Sequence, residues 1–448
     1  MEQLKQSGPM DASAWPERLI DEYAKRLRGD PKDLLASYFL DIANHTSSSA
    51  PSKAKRYRLG YVSVVVRMIF FLRRMFLADA ARISTGTVNA VWLDTPAHAD
   101  TMKAFLGRDS PEREKTPASS IGFAGKCSLF VVLGSLPQVI DIFVRLLRSA
   151  PRPLRNRVEF FEFLLQVICY MRLPSLQAAI AGPCVLTYEA IAINKAVALL
   201  TRRAGYRVIH VIHGLKHPNF QVSVATDLVL LSKIDEAWFR ERVSPDARLW
   251  TIGHPRLESI RREVGPPDAW QRKRLPRIAF FSQPSEGDYD PELRMQDWRT
   301  LAGLKDRAEV RFRLHPRENR DTAALAIQRC GLEFVELSNH GLKEDLAWCD
   351  AVASSWSTVS MEAAACGRGV FWTCSTPERY EVAQELRDHG VGVLIGSPGE
   401  WRPYLDEWAC GPWNAPVVVT DERLRELGFI GTGEQGREIL GAPASRKT

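Results

Sequence analysis

Short apolar runs that end in polar or turn-forming residues recur along the chain, with helically spaced segments between them. The runs at 88–93, 128–133, 184–187, 207–212, 228–231, 277–281, 310–314, 351–353, 370–372 and 391–395 predict strands. Helices are predicted over 139–147, 158–171, 193–203, 236–242, 293–304, 321–331 and 359–366. The polar, proline-containing stretch 109–120 predicts a loop. Strands alternating with helices argue for α/β units built on parallel sheets. Such sheets bind ligands outside the carboxyl ends of their strands. Several runs end in groups able to do chemistry: Asp94, Glu189, His213-Gly214, Ser282-Gln283, His315-Pro316 and Ser354-Ser355-Trp356-Ser357-Thr358.

At 448 residues the chain exceeds one ordinary core. The pattern predicts two Rossmann-like domains facing a central cleft: residues 85–263, a proline- and charge-rich linker at 264–276, and residues 277–440. A helical extension is expected over 1–84 and a disordered tail over 441–448. Within the extension, 59–79 is the most apolar stretch, but Arg67, Arg73 and Arg74 interrupt it. It lacks the ~20 uninterrupted apolar residues of a spanning helix. Two readings stay open: a helix in the membrane interface with its arginines at the headgroups, or a helix buried on the first domain. Arg145, Arg148, Arg152, Arg155 and Arg157 form a second basic group suited to an anionic surface.

The composition, 45% hydrophobic and 25% charged, is that of a globular protein. A net charge of +7 suits an anionic substrate or membrane surface. No RNA-binding aromatic motif and no helix with a continuous basic face is present, so nucleic acid is not an expected partner. The eight cysteines are scattered without a CxxC pair, and the first thirty residues carry no signal-peptide core. Both features predict reduced thiols and a cytoplasmic protein, peripheral on the inner membrane if 59–79 binds lipid.

The chemistry centres on residues 311–372. A helix N-terminus offers unpaired N–H groups and partial positive charge to a phosphate, and Ser354, Ser355, Ser357 and Thr358 would surround it with hydroxyls. The plainer alternative makes Ser357 or Thr358 a helix cap. Glu362, one turn into the helix, would reach ribose hydroxyls or stand solvated. His315 would donate to a phosphate or serve as a loop histidine. Ser282, Gln283 and Pro316 complete this wall. Across the cleft, Asp94 and Gly214 would line the acceptor side, and Glu189 or His213 would be the general base that a poorly nucleophilic hydroxyl needs. The alternatives are a helix-terminal charge for Glu189 and a structural role for His213. No carboxylate pair of DxD type stands at a strand end near the wall, so a metal-independent reaction is expected.

Glu189, His213-Gly214, Gly253-His-Pro-Arg256, His315-Pro316, Ser354-Ser355, Glu362 and Gly367 together resemble bacterial surface-polysaccharide glycosyltransferases of the GT-B fold. The HP and SS pair is similar to that of bacterial sialyltransferases, polysialyltransferases and Kdo transferases. The HG piece is similar to that of CDP-glycerol glycerophosphotransferases. The resemblance covers about residues 180–375 and implies a cytidine-nucleotide donor held at His315, Ser354, Ser355, Ser357, Thr358 and Glu362. It implies transfer of an acidic sugar from a CMP-linked donor to a glycan or lipid-linked glycan. The alternatives are CDP-glycerol transfer, UDP-sugar transfer or epimerisation, and a non-catalytic nucleotide-binding scaffold.

Overall fold

The computed structural model describes residues 88–91, 101–102, 104–105, 118–120, 180, 182–187, 198, 200–216, 224–251, 253–271, 274–283, 291–316, 318–374, 381–431 and 439. The strand expected at 128–133, the helices at 139–147 and 158–171, the extension 1–84 and the tail 441–448 lie outside these residues. Within them stand two six-stranded sheets, each parallel throughout.

The first sheet contains β1 (Val88–Val91), β2 (Ala118–Ser120), β3 (Cys184–Leu186), β4 (Val208–Val211), β5 (Asp227–Val229) and β6 (Arg248–Trp250), in the order β2-β1-β3-β4-β5-β6. β2 falls inside the stretch expected to be a loop. Its Ala-Ser-Ser sequence has no apolar run to announce it, and pairing with β1 makes it a strand. β6 was also unexpected. Side chains alternate between two cores. Val185, Ile209, Val211 and Val229 face one, with Met102, Phe105 and Ile439. Leu228 faces the other, with Ile212 and Phe239. Phe239 comes from α1 (Glu236–Arg240).

The second sheet runs β12-β11-β10-β7-β8-β9. Its strands are β7 (Arg277–Phe281), β8 (Glu309–Arg313), β9 (Glu336–Leu337), β10 (Ala351–Ser354), β11 (Gly369–Thr373) and β12 (Val393–Ile395). Both faces are covered, as parallel sheets require. Ile278, Phe280, Ala351, Ala353 and Phe371 pack with Trp298 and Trp401 on one face. Ala279, Phe281 and Val352 pack on the other with Leu346 and Ala363. The covering helices are α2 (Pro255–Val264), α3 (Pro291–Arg299), α4 (Arg320–Arg329), α5 (Leu342–Trp348), α6 (Thr358–Ala365), α7 (Glu381–Asp388) and α8 (Arg402–Cys410). A last helix, α9, spans Asp421–Glu426.

The crossing between the two units differs from the expected linker. α2 already belongs to the second unit: Leu257 packs with Met361 and Ala364, and Ile260 with Leu346 and Ala363. The chain therefore crosses at Gly253-His254. Residues 264–271 and 274–276 are fastened to the second unit. The buried Arg368 guanidinium donates to the carbonyls of Leu346, Gly265 and Cys366, and so ties together the C-terminal ends of α5, α2 and α6. Arg274 forms a two-bond pair with Asp350. The chain later returns. His254 N–H donates to Phe429 O, and Arg207 reaches the carbonyl of Ile439 in the first core. Part of the segment expected in the second domain thus completes the first.

Candidate active site between the strand ends

In the second sheet the chain steps outward through β7, β8 and β9, then returns to place β10 beside β7. The crevice at such a reversal is where open α/β sheets bind ligands. Ser282 follows β7, and Ser355 follows β10. β7 and β10 pair from Ala351↔Ile278 to Ser354↔Phe281. His315 follows β8 on the other flank of β7. Ser282, Ser355 and His315 therefore follow the carboxyl ends of three adjacent strands, and the side chains predicted for the wall have distinct surroundings.

Ser354 is the last residue of β10, fully buried, with its Oγ 2.8 Å from Ser360 Oγ. Ser355 is buried and its carbonyl accepts from Cys374 Sγ. Ser357 caps α6, accepting from Val359 N–H at 3.3 Å. Thr358 Oγ1 accepts from Leu215 N–H at 3.2 Å, a bond between the two units. A Cβ on Gly214 would lie 3.0 Å from that same oxygen, so glycine permits the approach. Glu362 is fully buried and ion-paired at 2.6 Å with Arg256 of the crossing helix. Neither the ribose-facing nor the solvated reading describes this carboxylate. Ser282 is buried, Gln283 is half-buried and Pro316 is exposed.

One residue unanticipated from sequence ties the wall together. Glu318 accepts from His315 N–H at 2.7 Å, Ser282 Oγ at 3.0 Å and Arg294 at 2.5 Å. Burial pushes its carboxyl above the usual range against the pull of these donors. The cue was present in His315-Pro-Arg-Glu318: a carboxylate three residues after a backbone donor can fold back on it, as in a capping box.

On the first sheet, His213 follows β4 and is half-buried. Its Nδ1 lies 2.9 Å from the carbonyl of Thr187, which follows the neighbouring β3. A carbonyl only accepts, so Nδ1 carries the proton and Nε2 is the basic nitrogen of the neutral ring. Glu189 and Asp94 lie outside the described residues. The loop after His213 docks on the second unit. Leu215 enters the core around Met361 and Trp372, while Lys216 pairs with Glu385 of α7 and, at 3.8 Å, with Asp235. Burial pushes the Asp235 carboxyl up to about 6.

The cysteines Cys184, Cys349 and Cys366 are buried, which pushes their thiols to about 12, 12 and 11. Such thiols stay protonated and are not nucleophiles. Among the described residues no group of three or more His, Cys, Asp or Glu could hold a metal ion. None of their helices is long and apolar enough to cross a membrane, and residues 59–79 lie outside them.

No family model and no curated protein matches the chain. Solved structures do. A Listeria monocytogenes protein described as a UDP-N-acetylglucosamine 2-epimerase is 13% identical, with a TM-score of 0.50 over 80% of this chain and 95% of that one. The Neisseria meningitidis UDP-GlcNAc 2-epimerase bound to UDP-GlcNAc is 11% identical, with a TM-score of 0.47 over 79% and 98%. The wall teichoic acid polymerase TagF is 13% identical, with a TM-score of 0.41 over 85% and 96%. At these identities the first likeness establishes architecture: the chain has the GT-B arrangement of two Rossmann-like, parallel-sheet units.

Proposed function

We propose that this chain is an enzyme acting on a nucleotide-activated sugar or polyol, with the donor's phosphates at the β7/β10 crevice. The carrying observation is the convergence of Ser282, His315 and the Ser355–α6 junction at that crevice, joined through Thr358 and Leu215 to the His213 loop. In the transfer reaction His213 Nε2 accepts the acceptor's hydroxyl proton. The acceptor oxygen bonds to the transferred group as that group's bond to the nucleotide phosphate breaks. The leaving phosphate keeps the electron pair. The N–H groups at the start of α6 and a proton from His315 stabilise the charge developing there. No divalent cation is invoked; loss of turnover in chelator, restored by Mg²⁺, would refute that step.

A UDP-linked donor ranks ahead of the CMP-linked acidic sugar. Ser354 and Glu362, two contacts the resemblance implied for a cytidine donor, are engaged by Ser360 and Arg256. The fold likeness to a protein described as a UDP-sugar epimerase favours the same order. The test is a thermal-shift titration with UDP, CDP and CMP on the wild type and Ser282→Ala, followed by incubation with UDP-GlcNAc without acceptor. A ligand bound at about 100 Kd raises native stability by ~2.7 kcal/mol. Selective stabilisation by UDP supports this order, and rapid turnover without acceptor identifies an epimerase. Selective stabilisation by CMP restores the acidic-sugar transferase. Silence from all three nucleotides ends the enzymatic reading in favour of a scaffold.

A further inference from the structure

The His213 loop is held from a direction that the motif pattern did not suggest. Gly253, at a φ of 109°, turns the chain after β6 so that His254 enters the interior, where its ring is 1% exposed. His254 Nε2 lies 2.5 Å from the carbonyl of Ile212. That carbonyl belongs to the peptide unit that also carries His213 N–H. The ring therefore reaches from the end of β6, past β5, to fix the peptide plane before His213. The Thr187 carbonyl fixes the other end of the same residue through Nδ1. Held at its backbone and its ring nitrogen, His213 has one tautomer and a narrow range of orientations.

We infer that His254 is a positioning residue for His213, holding the Ile212–His213 peptide so that His213 Nε2 faces the cleft in a single tautomer. This rests on the reading of His213 as the general base. The chemistry of the ring supports it over a purely structural role. His254 Nδ1 is buried with no hydrogen-bond partner among the described residues. A buried unpaired nitrogen is unfavourable, and an apolar side chain of similar shape would avoid it. What the imidazole adds to packing is the single Nε2–H bond to Ile212. Burial also lowers its pKa to about 4, so the ring remains neutral across the physiological range. The element that contains it makes the position informative. His254 is the first residue of the crossing, its N–H is bound to Phe429 O, and Arg256 two residues on pairs with Glu362 of the helix at the phosphate wall. The peptide before the base is therefore registered to the donor-side helix through one short segment.

The test uses the full chain labelled with ¹³C and ¹⁵N at histidine, with the His213 signals assigned by difference against His213→Gln. His254→Gln keeps an N–H donor near the position of Nε2. His254→Leu removes it, and His254→Asn places a donor too short to reach. Wild type and His254→Gln are expected to show His213 as the Nδ1–H tautomer alone. In His254→Leu, or in His254→Asn should the leucine variant not fold, the Nε2–H form appears. Turnover of the nucleotide sugar identified by titration is expected to fall at least about tenfold in kcat with KM nearly unchanged, and to recover in His254→Gln. An unchanged His213 spectrum in the donor-less variants overturns the inference, as does a glutamine variant as perturbed as the leucine one. The underlying base assignment fails separately, if His213→Gln retains full turnover while the tautomer result stands.

Discussion

Two buried carboxylates, one at each kind of strand end, separate structure from chemistry in this fold. Asp227 opens β5, at the amino ends of the first sheet. It accepts two bonds from Arg207 at 2.8 and 2.9 Å, and others from Arg248, Trp250 and Thr226. Burial alone would raise its pKa, but the bonds and charge of Arg207, with Thr226 and Trp250, outweigh it and hold the carboxyl below the usual range. Glu318 stands beyond the carboxyl end of β8 and also has arginine, hydroxyl and backbone donors, yet burial wins and its pKa rises. The ingredients match, but the outcomes are opposite. A saturated carboxylate fixes strands in place. One held short of full compensation at a strand's carboxyl end can still respond to an arriving anion.

The largest expected effect lies on the saturated side. Asp227→Ala leaves Arg207 and Arg248 without their carboxylate, and breaking a buried pair on one side costs about 3–5 kcal/mol. Urea unfolding at pH 7 measures it. Asp227's lowered pKa gives stability that is present above its unfolded pKa of about 3.9 and lost as pH falls through the folded value, so the variant also flattens the acid limb. A loss below 1 kcal/mol would erase the contrast with Glu318.

Next comes a pair of opposing titrations at the junction between the units. Asp235, raised by burial to about 6, contributes stability that is complete below pH 4 and lost as pH rises through 6. His254, lowered by burial to about 4, contributes stability that is present above pH 6.5 and lost as pH falls through 4. Each shift is worth on the order of 3 kcal/mol, so the two nearly cancel across this window. Asp235→Asn should expose the His254 slope: the urea midpoint of the variant drops on acidification from pH 6.5 to 4 while the wild type changes little. Parallel curves would show that Asp235 does not titrate there.

Glu318→Gln is expected to cost about 2 kcal/mol, because an amide nitrogen in place of one carboxylate oxygen cannot accept from His315 N–H and leaves that donor unpaired. Because its folded pKa is raised, the ionisable Glu318 contributes stability complete below about pH 4.3 and lost as pH rises through the folded value; the variant lacks that fall. It should also weaken nucleotide binding, which Asp227 variants that still fold should not. Equal effects of both carboxylates on nucleotide affinity would break the comparison.

The strand ends were the most legible part of the chain. An apolar run stopped by Ser282, His315 or Ser355 marks both a buried parallel strand and its carboxyl end, so these residues could be placed at strand ends before the strands were paired. β2 and β9 could not, because two or three residues of weak pattern become strands only through their neighbours. The crossing helix carried a local signature, Pro255 at its first turn and Gly265 with φ 72° after its last, masked by the proline-rich run that follows. Least legible were the long-range partners. Spacing put Glu362 one turn into α6 but could not show that Arg256 would neutralise it, nor that Ser354 would turn inward to Ser360. Polar residues at a strand end announce a site, and the tertiary structure decides which of them face it.

The smallest effects sharpen this last distinction, because they separate neighbouring hydroxyls on one helix start. Ser357→Ala removes the cap on Val359 N–H and should cost about 1 kcal/mol, the usual value for such a cap. Thr358→Val removes the acceptor for Leu215 N–H and should cost a similar ~1 kcal/mol, read in urea. The two part in what else they change. Ser357 acts within α6, so its loss frays the start of that helix without moving the first sheet. Thr358 Oγ1 joins α6 to the Gly214–Leu215 loop, so its loss uncouples that loop from α6. Hydrogen exchange at Leu215 N–H should therefore accelerate in Thr358→Val and stay at the wild-type rate in Ser357→Ala. Equal protection in both variants would mean that the packing of Leu215 around Met361 and Trp372, with the Lys216–Glu385 pair, holds the two units together without the hydroxyl.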